Sequence, residues 1–428
     1  MPAKEARTPE SDLKSAFRNL KSHQIENQTL EIINPRPCLE SVAMFPVNRW
    51  SIVSALNCLA LFASCASGAA PASVLDTIRN VQSDGTGNVE AARAWRQLVQ
   101  SDAAKLTDVL AALDGAGPLA RNWLRSAVDA IAERTLEAGQ PLGTQQLQRF
   151  VLNQKHDARA RRLAYEWLIR ADKTAADRLI PGMLHDPSVE FRRDAVARLL
   201  DQADTRLQAK ENAAATDLLQ QALSGARDDD QIKVIVKQLR ALGQSVNLPR
   251  HFGFLMQWQI IGPFDNTQRK GFAEAFPPER GFESDAKYPG KSGVVTWVSH
   301  TTKDEYGMVD LNEPLGKLKE TVAYARTEFV SDREQPVEFR LGCKNAWKLW
   351  VNGELLFGRD EYHRGMRLDQ YRMLATLRRG KNRILLKICQ NEQTESWTVE
   401  WQFQLRVCDT TGTAILSAAR PSGSTGAD

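Results

Sequence analysis

Residues 345–365, NAWKLWVNGELLFGRDEYHRG, hold a strand, a turn, a second strand and a dense polar run within 21 positions. Trp347, Leu349 and Val351 alternate with Lys348, Trp350 and Asn352, so one face of the first strand is apolar and the other carries amphipathic groups. Asn352-Gly353 supplies the positive φ values of a type I′ hairpin, and Leu355, Leu356 and Phe357 resume the apolar pattern beyond it. Arg359, Asp360, Glu361, Tyr362, His363 and Arg364 follow on a loop. Hairpins of this kind belong to antiparallel sheets, so this stretch sets the expectation for the C-terminal half and marks a recognition edge.

Outward from it, period two recurs. Trp397, Val399, Trp401, Phe403, Leu405 and Val407 alternate with polar residues, which predicts a strand over 397–407 with one core face and one wet face. Further strands are expected near 255–261, 294–298, 321–330, 337–343, 371–377 and 382–389, with turn signals at Asp265-Asn266 and Arg379-Gly380-Lys381-Asn382. The pattern predicts a two-sheet antiparallel β-sandwich. From 74 to about 242 it is helical, with Ala and Leu three or four apart. Steps at Ala94/Leu98, Ala127/Ile131, Ala164/Leu168, Ala195/Leu199 and Ile235/Leu239 recur at 31–40 residues. Units that cannot bury their own apolar stripes stack on their neighbours, so the helices are read as an α-solenoid. The period breaks at 242–254, the expected domain boundary.

Residues 184–196, LHDPSVEFRRDAV, resemble a HEAT repeat, and His156-Asp157 with Arg161, Arg162 and Ala164 echo them one unit earlier. KLWVNG at 348–353 followed by LRRGKNRILLK at 377–387 resembles the galactose-binding-like jelly roll, the sugar-binding fold of family 2 glycoside hydrolases. WQIIGPFDN at 258–266 resembles the opening of similar modules in exported bacterial proteins of unknown function. The resemblance implies multidomain α plus β: a HEAT-like α-solenoid at 74–245, then a galactose-binding-like jelly roll at 254–409. It carries no catalytic residue, since the glycosidases keep theirs in a barrel with no counterpart here.

The chain has 428 residues, enough for two or three domains, and 42% of them are hydrophobic. A net charge of +4 gives no basic field of the size nucleic acid needs, so no nucleic-acid partner is expected. Residues 52–70 form a short apolar segment with Arg49 before it and Ala70-Pro71-Ala72 after it, like a signal peptide or membrane anchor at 44–72. Cys65, in a degenerate lipobox, is a third possibility for the same segment. Residues 1–43 are read as a disordered or mis-assigned extension and 410–428 as a disordered tail. The protein is therefore expected to be exported: periplasmic, envelope-associated or secreted.

Cys343, Cys389 and Cys408 lack zinc-type spacing and are read as buried small hydrophobes, and no metal or cofactor is expected. His156 and His185 sit in matching turns without a carboxylate cluster and are read as turn residues, while Arg159, Arg161, Arg162, Arg192, Arg193 and Arg198 are read as a solvated face. A sugar offers C–H groups to an aromatic face and hydroxyls to polar neighbours. The candidate ligand-binding residues are accordingly Trp350, Asn352, Arg359, Asp360, Glu361, Tyr362, His363, Arg364, Asn391 and Gln393. The expectation is a non-enzymatic protein binding a carbohydrate or envelope glycan, with helical repeats mediating protein-protein contacts. The alternatives are a pure protein scaffold, and a glycoside hydrolase pairing Asp360/Glu361 with Glu392/Glu395. Gly-x-Ser-x-Gly, His-Glu-x-x-His and a P-loop are absent from the sequence.

Overall fold

The computed structural model describes residues 73–419, which belong to one compact unit. The apolar segment 52–70, with its anchor, cleavage and lipidation readings, and the extension before it lie outside the described residues. Helices occupy the N-terminal part: α1 (Val74–Arg79), α2 (Asn88–Leu98), α3 (Leu106–Ala111), α4 (Pro118–Glu137), α5 (Thr144–Leu152), α6 (Ala158–Ala171), α7 (Ala175–Leu179), α8 (Val189–Gln208), α9 (Asn212–Gly225), α10 (Asp229–Ala241) and α11 (Leu248–Phe252). The five Ala/Leu steps fall on α2, α4, α6, α8 and α10, and all their residues are buried except the half-buried Leu199.

The same helices are tied in succession. Trp123 donates to Asn88, 35 residues back; Trp167 to Asp129, 38 back; Arg162 to Asp194, 32 on; Arg193 to Asp230, 37 on. Arg162, Arg193 and Arg198 are thus paired with carboxylates, while Arg159 is exposed. Arg161, 1% exposed, makes a two-pronged ion pair with Asp186 at 2.9 and 2.7 Å, and Arg192 is buried as well. These two correct the solvated reading: the apolar flank of each helix packs against its neighbour, and the guanidinium there finds acceptors in the adjoining turn, the Asp186 carboxylate for Arg161 and the Asp186 carbonyl for Arg192. His156 lies 2.7 Å from Asp114 and stacks on Phe150.

Antiparallel sheets make up the C-terminal part. A six-stranded sheet runs β4-β1-β6-β11-β8-β9 and a four-stranded sheet β10-β7-β12-β5, from β1 (Gln257–Asp265), β4 (Val298–Thr301), β5 (Val309–Asp310), β6 (Thr321–Ser331), β7 (Gln335–Cys343), β8 (Ala346–Val351), β9 (Glu354–Arg359), β10 (Tyr371–Leu377), β11 (Gly380–Gln390) and β12 (Gln402–Cys408). A small hairpin, β2 (Tyr288–Gly290) and β3 (Gly293–Val295), forms a separate two-stranded sheet whose Tyr288 and Val295 pack against the large one. One apolar cluster draws on both large sheets: Ile260, Ala325, Leu349 and Leu386 from one, Phe339, Leu341, Phe403 and Leu405 from the other. Asn352 and Gly353 adopt φ +54° and +87° at the β8–β9 turn, as a primed hairpin requires.

Two expectations change. The strand expected at 397–407 begins only at Gln402, after a short helical turn at Ser396–Thr398, and its second face is not wet. Gln404 and Arg406 on that face are buried, because α11 and its flanks dock there: Arg406 donates to Phe252 O at 3.1 Å, and the Phe252 and Phe254 rings lie 5.3 Å apart. Residues 410–419 are also not a loose tail. Asp409 accepts from the Thr411 and Thr413 N–H groups, Arg192 donates to Thr411 O and Arg227 to Thr413 Oγ1, and Ala418 N–H reaches Val330 O on β6. The 420–428 part of the expected tail is outside the described residues.

His251 in α11 meets the same junction. Burial, with Arg227 nearby, pushes its pKa down to about 4, and its Nε2 donates to Ala226 O at 3.1 Å. The folded value lies below the unfolded one of about 6.5, so the folded state is favoured above that value and penalised as pH falls from it toward about 4. Acidification across that window is expected to cost up to about 3 kcal/mol at this residue. Urea titrations of wild type and His251→Gln at several pH values check this, since the variant must lose that share of the pH slope.

Candidate functional site

Four strands of the large sheet end together: β1 runs into Asn266, β6 starts at Thr321, β11 ends at Gln390 and β8 begins after Asn345. Asn266, Gln390, Asn391 and Thr398 are fully buried, and Asn345 is 1% exposed. Amides in such a place persist only if they bond to one another. Asn266 Nδ2 donates to Gln390 O at 2.9 Å and to Tyr362 OH at 3.1 Å; Asn345 Nδ2 donates to Gln390 Oε1 at 3.2 Å; Gln390 Nε2 donates to Thr398 O at 3.0 Å. The Oδ1 atoms of Asn266 and Asn345 are buried without partners among the described residues.

Above this floor lies a mixed aromatic and polar surface. The chain leaving β9 brings Tyr362 and His363 over it, His363 in the left-handed region at φ +55°. His363 Nε2 lies 2.6 Å from Asn391 Oδ1, and Asn391 Oδ1 also accepts from Gln393 N–H at 3.3 Å while its Nδ2 donates to Gln393 Oε1 at 2.8 Å. Those bonds fix the amide's orientation, so Nε2 carries the hydrogen and Nδ1 of the neutral ring holds a lone pair. Burial depresses the His363 pKa, with the Asn391 bond opposing. Arg269 pairs with Glu392, Nε to Oε2 at 3.1 Å, and its guanidinium sits 5.3 Å from the Tyr362 ring centre. That bond holds the Glu392 carboxyl below its usual range.

Trp397 is the residue sequence reasoning placed in the core. It is 55% exposed, with its ring perpendicular to His363 at 5.4 Å between centres. Its position is set by Thr398, whose carbonyl takes Lys319 Nζ at 2.8 Å and whose hydroxyl lies 2.7 Å from Glu395 O. That clamp closes a helical turn and rotates Trp397 outward. The available signal is the run from Gln390 to Ser396, seven residues without an apolar side chain, which breaks period two before Trp397. Arg269 and Lys319 were missed as well, as were Asn266, Asn345 and Thr398 of the floor.

The remaining candidates divide. Tyr362, His363, Asn391 and Gln393 converge at this end. Arg359 and Arg364 both bind Glu361, at 2.8 and 3.2 Å, which lowers the Glu361 pKa; Asp360 keeps an exposed side chain, and desolvation by the protein packed to one side of it outweighs Arg269 and Lys348 and raises its pKa. Asn352 lies at the far end of β8, where it bonds Asn382 Oδ1 at 2.9 Å and accepts from Arg383 N–H at 3.0 Å, a clasp between two turns. Trp350 is half-buried on the outer face of the large sheet, in a cluster with Phe272, Phe276, Trp297 and Tyr362. What covers that face is the chain between β1 and β4, not the helices.

That cover is latched by a buried charge. Lys387 on β11 is fully buried; its Nζ donates to Glu279 Oε1 at 2.9 Å and to the carbonyls of Phe272 and Glu274 at 3.3 and 2.5 Å, and Tyr324 OH also donates to Glu279. Among the described residues no cluster of three or more His, Cys, Asp or Glu side chains is arranged to hold a metal ion. No described helix is long and apolar enough to cross a membrane.

No family model matches this chain, and no curated protein matches it. Among solved structures it is similar to a β-glucosidase from Kluyveromyces marxianus in complex with glucose, at 14% identity over 37% of this chain and 16% of that one, TM-score 0.23. A selenomethionine-labelled structure of the Kluyveromyces marxianus β-glucosidase matches at 10% identity over 66% of this chain and 35% of that one, TM-score 0.23. A β-glucuronidase from an uncultured Clostridium matches at 9% over 37% and 29%, TM-score 0.22. The chain thus spans well under half the length of these proteins, and the similarity to them is weak.

Proposed function

We propose that this is an exported, non-enzymatic binding protein whose C-terminal sheets form a galactose-binding-like jelly roll that takes a carbohydrate at the sheet end described above. The observation that carries the reading is the exposed Trp397 ring beside His363, over a floor of buried amides. An indole face accepts the C–H side of a sugar ring, and the adjoining polar atoms bond its hydroxyls. Pre-organised side chains lose little entropy on binding, and His363 is held by Asn391 before any ligand arrives.

The same proposal assigns the helices as a HEAT-like α-solenoid that engages a protein partner. The regular bonding of α2, α4, α6, α8 and α10 supports it, because equivalent helices one repeat apart are the neighbours in such a stack. The apolar segment 52–70 supports export. Within the hydrolase alternative, Glu361 and Glu392, one carboxylate of each proposed pair, are bound by arginines, which disfavours these two as proton donors.

Glycan-array retention of wild type, Trp397→Ala and Trp350→Ala tests the carbohydrate reading. Trp397→Ala is expected to weaken binding about tenfold, about 1.4 kcal/mol, and Trp350→Ala to leave it within about twofold if the fold is kept. Equal retention by wild type and Trp397→Ala would remove this site from consideration.

A further inference from the structure

We infer that the ligand at this sheet end is an uncharged, hydroxyl-rich ring, and that His363 reads one of its hydroxyls by accepting a hydrogen bond at Nδ1. This rests on the carbohydrate reading above and narrows it. Charges of both signs surround the site: Arg269, Lys319, Lys344, Arg359 and Arg364 with Glu320, Asp360, Glu361, Glu392, Glu395 and Glu400. Their bonds are also largely internal. Arg269 holds Glu392, Arg359 and Arg364 both hold Glu361, and Lys319 Nζ donates to Thr398 O and Oγ1 at 2.8 and 3.0 Å. A uronate would meet guanidiniums already engaged with carboxylates, and an amino sugar would meet a field cancelled by neighbouring cations.

His363 supplies the other half. Its Nε2–H is committed to Asn391, which leaves Nδ1 as an acceptor, buried and without a donor among the described residues. An unfilled buried acceptor is a standing cost that an incoming hydroxyl removes. Trp397, perpendicular to the imidazole and more than half exposed, is the side chain a ligand displaces or stacks on to get there. A hydroxyl suits the position because it donates to Nδ1 and still accepts from a neighbour, whereas a carboxylate offers no hydrogen.

The test is affinity electrophoresis of the full chain through gels carrying galactomannan, polygalacturonate or chitosan, at about 20 mM and about 500 mM salt, which differ several-fold in screening length. Retardation is expected in galactomannan, nearly independent of salt, and reduced about tenfold in His363→Phe, which keeps a ring but lacks Nδ1. His363→Gln, with an amide oxygen as acceptor, is expected to recover part of it. Preferential retardation by the uronate or the amine polymer, or strong salt dependence, overturns the inference while leaving carbohydrate binding in place. Undiminished retention by folded His363→Phe overturns the histidine's role, and no retardation in any gel overturns both this inference and the broader reading.

Discussion

Asp369→Asn is expected to lower the stability of the protein by about 3–5 kcal/mol, a large part of a typical domain's 5–15. The carboxylate takes Arg406 Nε at 2.6 Å and Nη2 at 2.5 Å, and Arg340 Nη1 at 2.8 Å. Arg406 is 1% and Arg340 6% exposed. Burial pulls the Asp369 pKa upward and the two guanidiniums outweigh it, so the carboxyl lies below its usual range. Removing its charge leaves two buried cations with Glu338, which pairs with Arg340 at 2.7 Å, as the remaining ion partner. Asparagine is the right replacement because Asp369 has φ +57°, a conformation asparagine tolerates and alanine does not. Urea unfolding measures the effect, and a midpoint equal to wild type would show that the network is not what holds this face together.

Glu279→Ala is expected to cost a similar amount, about 3–5 kcal/mol, by leaving the Lys387 ammonium buried without its counter-ion. The functional consequence is local. Residues 267–297 cover the outer face of the large sheet, and this pair is their anchor. Limited proteolysis should therefore cut within 267–297 much faster in Glu279→Ala, while the helices keep their wild-type pattern. The double variant Lys387→Met/Glu279→Gln, which removes both charges together, should be close to wild type, because a buried ion pair contributes little net stability beyond an apolar replacement. Unchanged proteolysis in Glu279→Ala would mean that Phe272 and Phe276 hold the cover alone.

How far the sequence was legible depends on what kind of information each feature uses. The hairpin at 352–353 was readable because positive φ restricts the residue type locally. The five Ala/Leu steps were readable because helical spacing is local too, and they fall on the five helices that bond to one another. Trp397 was misread because its outward turn is held through Thr398 by Lys319, 79 residues away, although the nearby Gln390 that also binds Thr398 opens the polar run that could have signalled it. The second face of β12 was misread for the same reason, since only the docked α11 and Asp369 make Arg406 a buried residue. Trp350 lies on the face of β8 opposite Trp347, Leu349 and Val351, as alternation implies, but nothing local announces that residues 267–297 fold over it.

Residues 409–418 touch all three layers of the unit: the helices through Arg192 and Arg227, the small sheet through the Ala414 bridge to Cys408, and the large sheet through Val330. Among the described segments they are the last to leave the ribosome. The helices and their docking on β12 through Phe252 and Arg406 can therefore form before those ten residues emerge, whereas the links through Arg192, Arg227 and Val330 cannot, and a nascent chain halted at position 408 would hold helices and sheets together by that one junction without the strap across all three layers.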